Sequence, residues 1–189
     1  MANHIYTNFE ITFKSEEDCN DFAQLIKFDP TNEDITFGER IELCCNTIMD
    51  ILWPENEDTR TWWLDNVGAK WMYFDDVDQI DSTIYIQLTT AWDFPEGLFY
   101  KLTDFLRERY QDVTLQSTFE DEGYNFIGAA ASNQEFRDID YHHPDFEELD
   151  EYKDEDDCWT DEFYDEMMNI KEELLNDVLA FIQQDLEKE

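Results

Sequence analysis

The sequence predicts an α+β domain, a mostly antiparallel sheet with helices on one face. Three observations predict it. Residues Ile5 to Phe13 alternate, with Ile5, Thr7, Phe9, Ile11 and Phe13 on one side, the period of a half-buried strand. Leu98, Leu102, Phe105 and Leu106 recur at helical spacing behind Phe94-Pro95. The elements follow the order strand, helix, an unassigned stretch, strands, helix, strands.

Taken in turn, the first strand leads to Ser15-Glu16-Glu17-Asp18, an N-cap with acids in the first helical turn. Phe22, Leu25 and Ile26 sit at helical spacing, and Asp29-Pro30 ends that helix. The apolar group from Ile41 to Trp53 closes at Pro54; strand, loop and helical turn all stay open for it. Thr59 to Leu64 reads as helix or turn, anchored by Trp62-Trp63, and Asn66-Val67-Gly68 as a turn. Lys70 to Phe74 and Thr83 to Thr89 read as strands, with Asp75-Asp76-Val77-Asp78 as an exposed connection. Val113 to Phe119 and Tyr124 to Ala130 suit a hairpin across Glu120-Asp121-Glu122-Gly123. The split βαβ, ferredoxin-like arrangement is the nearest simple template.

The character changes near residue 132. An acidic, aromatic-studded connection is expected over 132–160, and an amphipathic helix from about Asp161 to Glu187. The helix stripe is Tyr164, Met167, Met168, Leu175, Val178, Leu179, Ile182 and Leu186, with Thr160 as N-cap. That stripe must be buried on the 1–131 domain or on another chain, so a homodimer is one expected outcome.

Charge sets the partners. The 189 residues hold 49 acids and 12 bases, a formal charge of −37. Residues 138–189 alone hold 21 acids and 3 bases. Self-repulsion on this scale destabilises a compact chain, which points to a basic partner. Salt adaptation is the alternative, and it predicts evenly spread charge. Phosphates would be repelled, which argues against direct binding to nucleic acid or to an anionic membrane. At 16% aromatic and 42% hydrophobic residues, the chain can still bury a core. The first residues show no signal-peptide pattern, and no stretch approaches the roughly 18 apolar residues of a membrane span. Cys19, Cys44, Cys45 and Cys158 form no CxxC pair and are expected as reduced thiols in a cytoplasm.

Three segments carry a resemblance. They are Asn66-Val67-Gly68-Ala69-Lys70-Trp71, Thr89-Thr90-Ala91-Trp92-Asp93-Phe94-Pro95 and Glu120-Asp121-Glu122-Gly123-Tyr124-Asn125-Phe126-Ile127-Gly128. With Ala2-Asn3-His4 they resemble the YubB-type ferredoxin-like proteins of phages and conjugative plasmids, over residues 1–131. The resemblance implies a ferredoxin-like fold and a mobile-element origin. It implies no catalytic residues.

No phosphate-binding, nucleophile-elbow or HExxH pattern occurs. His142-His143 lies among carboxylates, but adjacent imidazoles diverge and no further soft ligand stands near. Asp154-Glu155-Asp156-Asp157 lacks the spacing of a calcium loop. No metal, no cofactor and no enzymatic activity is expected. Instead, aromatics interrupt the acids (Tyr141, Phe146, Tyr152, Trp159, Phe163, Tyr164) and can pin them to the folded domain. Pinned acids can imitate a phosphate backbone. On a helix, acids four residues apart stand about 6 Å apart along the axis, as Asp161 with Asp165 and Glu162 with Glu166 do. The expected function is that of a phage inhibitor, imitating DNA on a basic, nucleic-acid-binding defence protein of the host. The alternative is an acidic binding module or chaperone for a basic partner. The candidate phosphate mimics are Asp138, Asp140, Asp145, Glu147, Glu148, Asp150, Glu151, Asp154, Glu155, Asp156, Asp157, Asp161, Glu162, Asp165 and Glu166, supported by Glu120, Asp121 and Glu122.

Overall fold

Burial of every second residue of the first strand organises the sheet. Ile5, Thr7, Phe9 and Ile11 are at most 2% exposed, whereas Tyr6 is 47% exposed. The computed structural model describes residues 3–55, 59–145, 152–154 and 158–184. Its strands are β1 (His4–Thr12), β2 (Met72–Ile80), β3 (Thr83–Ala91), β4 (Thr114–Asp121), β5 (Ile127–Ser132) and β6 (Arg137–His142). Its helices are α1 (Glu16–Leu25), α2 (Phe37–Leu52), α3 (Arg60–Asn66), α4 (Glu96–Arg109) and α5 (Asp161–Gln184).

The six strands form one antiparallel sheet in the order β2-β3-β1-β4-β5-β6. The first four give the split βαβ order, so the ferredoxin-like template holds. The hairpins to β5 and β6 then widen it, and β6 falls inside the segment expected to be a connection. The inner face carries the core. Phe9, Phe94, Phe99 and Phe119 interlock there, with Phe94 stacked on Phe119 at 4.1 Å.

Local signals explain the helices. Ser15 accepts the Asp18 N–H at 3.2 Å and caps α1. That helix stops at Leu25, before the expected Asp29-Pro30, and Lys27 then turns the chain at φ 59°. The open stretch Ile41–Trp53 is helix α2. Thr36 and Glu39 close a capping box at its start. Ile41, Cys44, Cys45, Ile48, Met49 and Leu52 make its buried face. Thr59 caps α3 through the Trp62 N–H. Gly68, at φ 90°, makes the turn after it.

One expectation changes, and one open alternative is decided. Asp75-Asp76-Val77-Asp78 is not a connection: β2 runs through it to Ile80, with a bulge between Phe74 and Asp76. Val77 points into the core, while the acids face solvent on an edge strand, where charge is tolerated and discourages edge pairing. The long final helix packs on the 1–131 domain. It takes the face of the sheet opposite α1, α2 and α4. Phe163 and Met167 cover Ile127, and Val178 and Ile182 cover Ala129 and Ala131. The intervening Gly128 faces the other way, because Phe119 fills the space a side chain would need. Every residue of β5 is therefore buried, on one face or the other. Among the described residues, no helix is long and apolar enough to cross a membrane.

A Cβ at position 128 would lie 2.1 Å from Phe119 Cζ and 2.8 Å from the Asp140 carbonyl oxygen. Gly128→Ala is expected to lower stability by about 1–3 kcal/mol, the cost of overpacking a filled core. Urea unfolding checks this, and an unchanged midpoint would contradict the packing.

Candidate partner-binding surface

The acidic helix is built from its buried side outward. Phe163 is fully buried and stacks on Trp159, with ring centroids 4.2 Å apart and planes at 14°. Tyr124 meets the same ring edge-on at 4.8 Å. Tyr152 adds a further edge contact at 6.2 Å. The turn before the helix is tied by the Thr160 N–H to the Tyr152 carbonyl at 3.0 Å and by the Asp154 N–H to the Cys158 carbonyl at 2.9 Å. Farther along, Lys171 Nζ donates to Glu120 Oε2 at 2.7 Å, both side chains less than a quarter exposed, and joins α5 to β4. Near the end, Asn133 Nδ2 donates to the Ile182 carbonyl. Tyr152, Trp159 and Phe163 thus pin the start of the helix, whereas Tyr164 is 49% exposed and Phe146 lies outside the described residues.

The face opposite this packing is acidic. Asp161, Glu162, Asp165, Glu166, Glu172, Glu173 and Asp177 are all exposed. At 100° per residue they fall within an arc of about 160°, in two neighbouring rows. They cover about 24 Å of helix axis, or one carboxylate per about 4 Å. That is near the axial charge spacing of one DNA strand, about 3.4 Å. A duplex carries charge twice as densely, so this face matches one strand rather than both. Glu172, Glu173 and Asp177 were not among the sequence candidates. The signal for them was present, since Glu173 and Asp177 continue the Glu162–Glu166 row after eleven residues.

The other candidates separate. Asp138 and Asp140 project from β6 beside Ala131 and Ala129, on the face that carries α5, and Asp140 is exposed. Asp145 is also exposed. Asp121 leaves the set. It is 1% exposed, because it continues the inward parity of Leu115, Ser117 and Phe119. Its carboxylate accepts the N–H groups of Gly123 and Asn125 and the Asn125 side-chain amide, and so holds the turn. Glu120 is committed to Lys171, and Glu122 Oε2 lies 2.8 Å from His4 Nδ1. Asp154 accepts the Cys158 N–H at 3.0 Å. Glu147, Glu148, Asp150, Glu151, Glu155, Asp156 and Asp157 lie outside the described residues.

Several bases are engaged elsewhere in the fold. Lys14 pairs with Asp112, Arg109 with Asp21 and Arg137 with Asp104. Arg107 donates to the carbonyls of Asn133 and Phe136. Arg60 and Lys70 both sit over the Trp92 ring, at 4.6 and 4.8 Å. Among the described residues, no group of three His, Cys, Asp or Glu is placed to hold a metal. Burial pushes the Cys44 and Cys45 thiols up to about 11, so neither is a thiolate nucleophile at neutral pH.

No family model and no curated protein matches the chain. Among solved structures it is similar to a chain in the crystal structure of A. aeolicus tRNASec in complex with M. kandleri SerRS. The identity is 14% and the TM-score 0.36, over 63% of this chain and 20% of that one. The chain thus spans about a fifth of that chain's length, and a likeness at this level carries no argument.

Two outcomes follow from the pinning and the charge. Ala131→Leu places bulk under Val178 and Ile182, so amide hydrogen exchange in α5 is expected to accelerate while β1–β4 stay protected; equal protection would contradict the docking. Raising salt from about 10 mM to about 1 M shortens the screening length from about 30 Å to about 3 Å. The melting temperature is expected to rise by several degrees as the acidic surface ceases to repel itself, and a fall would contradict it.

Proposed function

We propose that this chain is a non-enzymatic inhibitor encoded by a phage or related mobile element, acting in the host cytoplasm. It occupies the DNA-binding surface of a basic host defence protein. A restriction enzyme, a BREX-type system or a CRISPR effector has the surface required. The observation that carries the reading is the acidic face of α5, with seven exposed carboxylates at an axial spacing near that of the charges on a DNA strand. A groove lined by Lys and Arg would accept this row in place of phosphates and release counterions as it does with DNA. Packing of α5 on β5 supports the reading further, because pre-positioned charges lose less entropy on binding than a mobile tail. Asp138, Asp140 and Asp145 add charge beside the helix. The mobile-element origin rests on the resemblance of residues 1–131 to YubB-type proteins.

The second reading is a binding module for a basic protein without imitation of DNA. Tyr6 of β1 and Tyr73 of β2, each 47% exposed on the sheet face opposite α1, α2 and α4, favour it, because such a surface suits apolar and cation–π contacts.

The test changes charge and leaves shape alone. Asp161→Asn, Glu162→Gln, Asp165→Asn, Glu166→Gln, Glu172→Gln, Glu173→Gln and Asp177→Asn are combined in one full-length variant. Capture of DNA-binding defence proteins from host lysate is expected to fall more than tenfold, with the circular dichroism spectrum unchanged. Undiminished capture by the folded variant would reject the mimicry.

A further inference from the structure

The other half of the outer sheet face is open. Helix α5 packs mainly on β5 and β6, with a lesser contact to β4, and the apolar clusters it forms include no residue of β1, β2 or β3. That face presents large aromatics: Tyr6 and Tyr73 are each 47% exposed, and Trp71 lies stacked on Tyr73 with centroids 5.5 Å apart and planes at 13°. Strands β1 to β4 contain no Lys or Arg and six acids. Three of these, Asp75, Asp76 and Asp78, lie on β2 beside the aromatics.

The register makes a slot. Tyr6 and Tyr73 both pair with Thr89 of the strand between them, so all three point to the same face. Two strand spacings, about 9–10 Å, separate the tyrosines. Thr89 is buried between them and forms the floor. Its hydroxyl donates to Asp75 Oδ2 at 2.7 Å, which brings that carboxylate onto the same face. Aromatic walls with a carboxylate at the floor suit a flat cation. A guanidinium stacks on aromatic rings and pairs with a carboxylate through its forked donors; an ammonium does the second less specifically and stacks less well. The chain already uses this chemistry on itself, with Arg60 lying 4.6 Å above the Trp92 ring. A nucleic-acid base could also stack here, but the carboxylates would repel its phosphates.

We propose that the open sheet face is a second docking surface, on which the Tyr6–Thr89–Tyr73 slot takes an arginine side chain of a basic protein partner. The slot selects Arg over Lys, whereas the carboxylates of α5 attract either. The inference deepens the reading of a basic partner and does not depend on imitation of DNA.

Full-length protein is titrated with two synthetic decapeptides of equal charge, alternating Arg-Gly and alternating Lys-Gly, and with a single-stranded oligothymidylate. The Arg peptide is expected to bind about tenfold tighter than the Lys peptide. The oligothymidylate is expected not to bind. Tyr6→Thr with Tyr73→Thr keeps strand-forming residues and should bring Arg affinity down to the Lys value. Asp75→Asn should reduce the Arg preference without removing either wall. Equal affinity for the two peptides in the native chain, preference surviving the double Thr variant, or oligothymidylate binding at the tyrosines would overturn the slot. The variant neutralised along α5 separates the two claims. It should lose affinity for both peptides while keeping the Arg-to-Lys ratio. A kept ratio with undiminished affinity would leave the slot standing and remove the mimicry.

Discussion

Everything distinctive about this molecule depends on one strand of small residues buried on both sides. In β5, Ile127-Gly128-Ala129-Ala130-Ala131-Ser132, side chains small enough for close approach let two layers converge. Gly128, Ala130 and Ser132 face the inner core, where Phe119 and α4 lie; Thr103 of α4 meets the Ser132 hydroxyl at 3.2 Å. Ile127, Ala129 and Ala131 face α5. Antiparallel sheets often leave one face to solvent, and most of this sheet does. At β5 the chain instead spends its outer face on seating a helix. That helix carries carboxylates on its far side, so its packing on Ile127, Ala129 and Ala131 fixes the position of a row of charge.

Charge is divided accordingly. The bases are largely used in short-range contacts of the fold: ion pairs, carbonyl contacts and rings. The acids of α5 and β2 are left facing water. A chain folding with −37 charges gains from keeping its acids apart and exposed. The same arrangement leaves two surfaces of different chemistry on one side of the sheet. One is a helical row of carboxylates, the other an aromatic floor edged with acids. Lys171 and Glu120 form the seam between them, with Tyr124 beside it. Burial, with the nearby Glu120 carboxylate adding, pushes the Tyr124 phenol up to about 12, so the phenol stays protonated at neutral pH.

Much of the fold was legible in residues. Alternation in β1, the leucine stripe of α4 and the order of elements lead to the split βαβ sheet. Helix α2 was legible too, through Thr36 and Glu39 at capping-box spacing, but its apolar group from Ile41 to Trp53 leaves strand and helix open when read without the cap. The acids of β2 disguised a strand, because Asp is rare in sheets and only the edge position makes three of them tolerable. Asp121 was misplaced because a charged residue in an acidic turn suggests solvent. Its parity with Leu115 and Phe119 pointed inward. The open aromatic face was out of reach, since Tyr6, Thr89 and Tyr73 come from three strands and only register brings them together.

The central claim is that the acidic face of α5 stands in for DNA on a partner. Competition tests it most directly: the partner captured on immobilised full-length protein is challenged with increasing duplex DNA at fixed, moderate salt. The account predicts that duplex displaces the partner completely and that the two cannot be bound together. A ternary complex, with partner, duplex and this chain held at once, would contradict it.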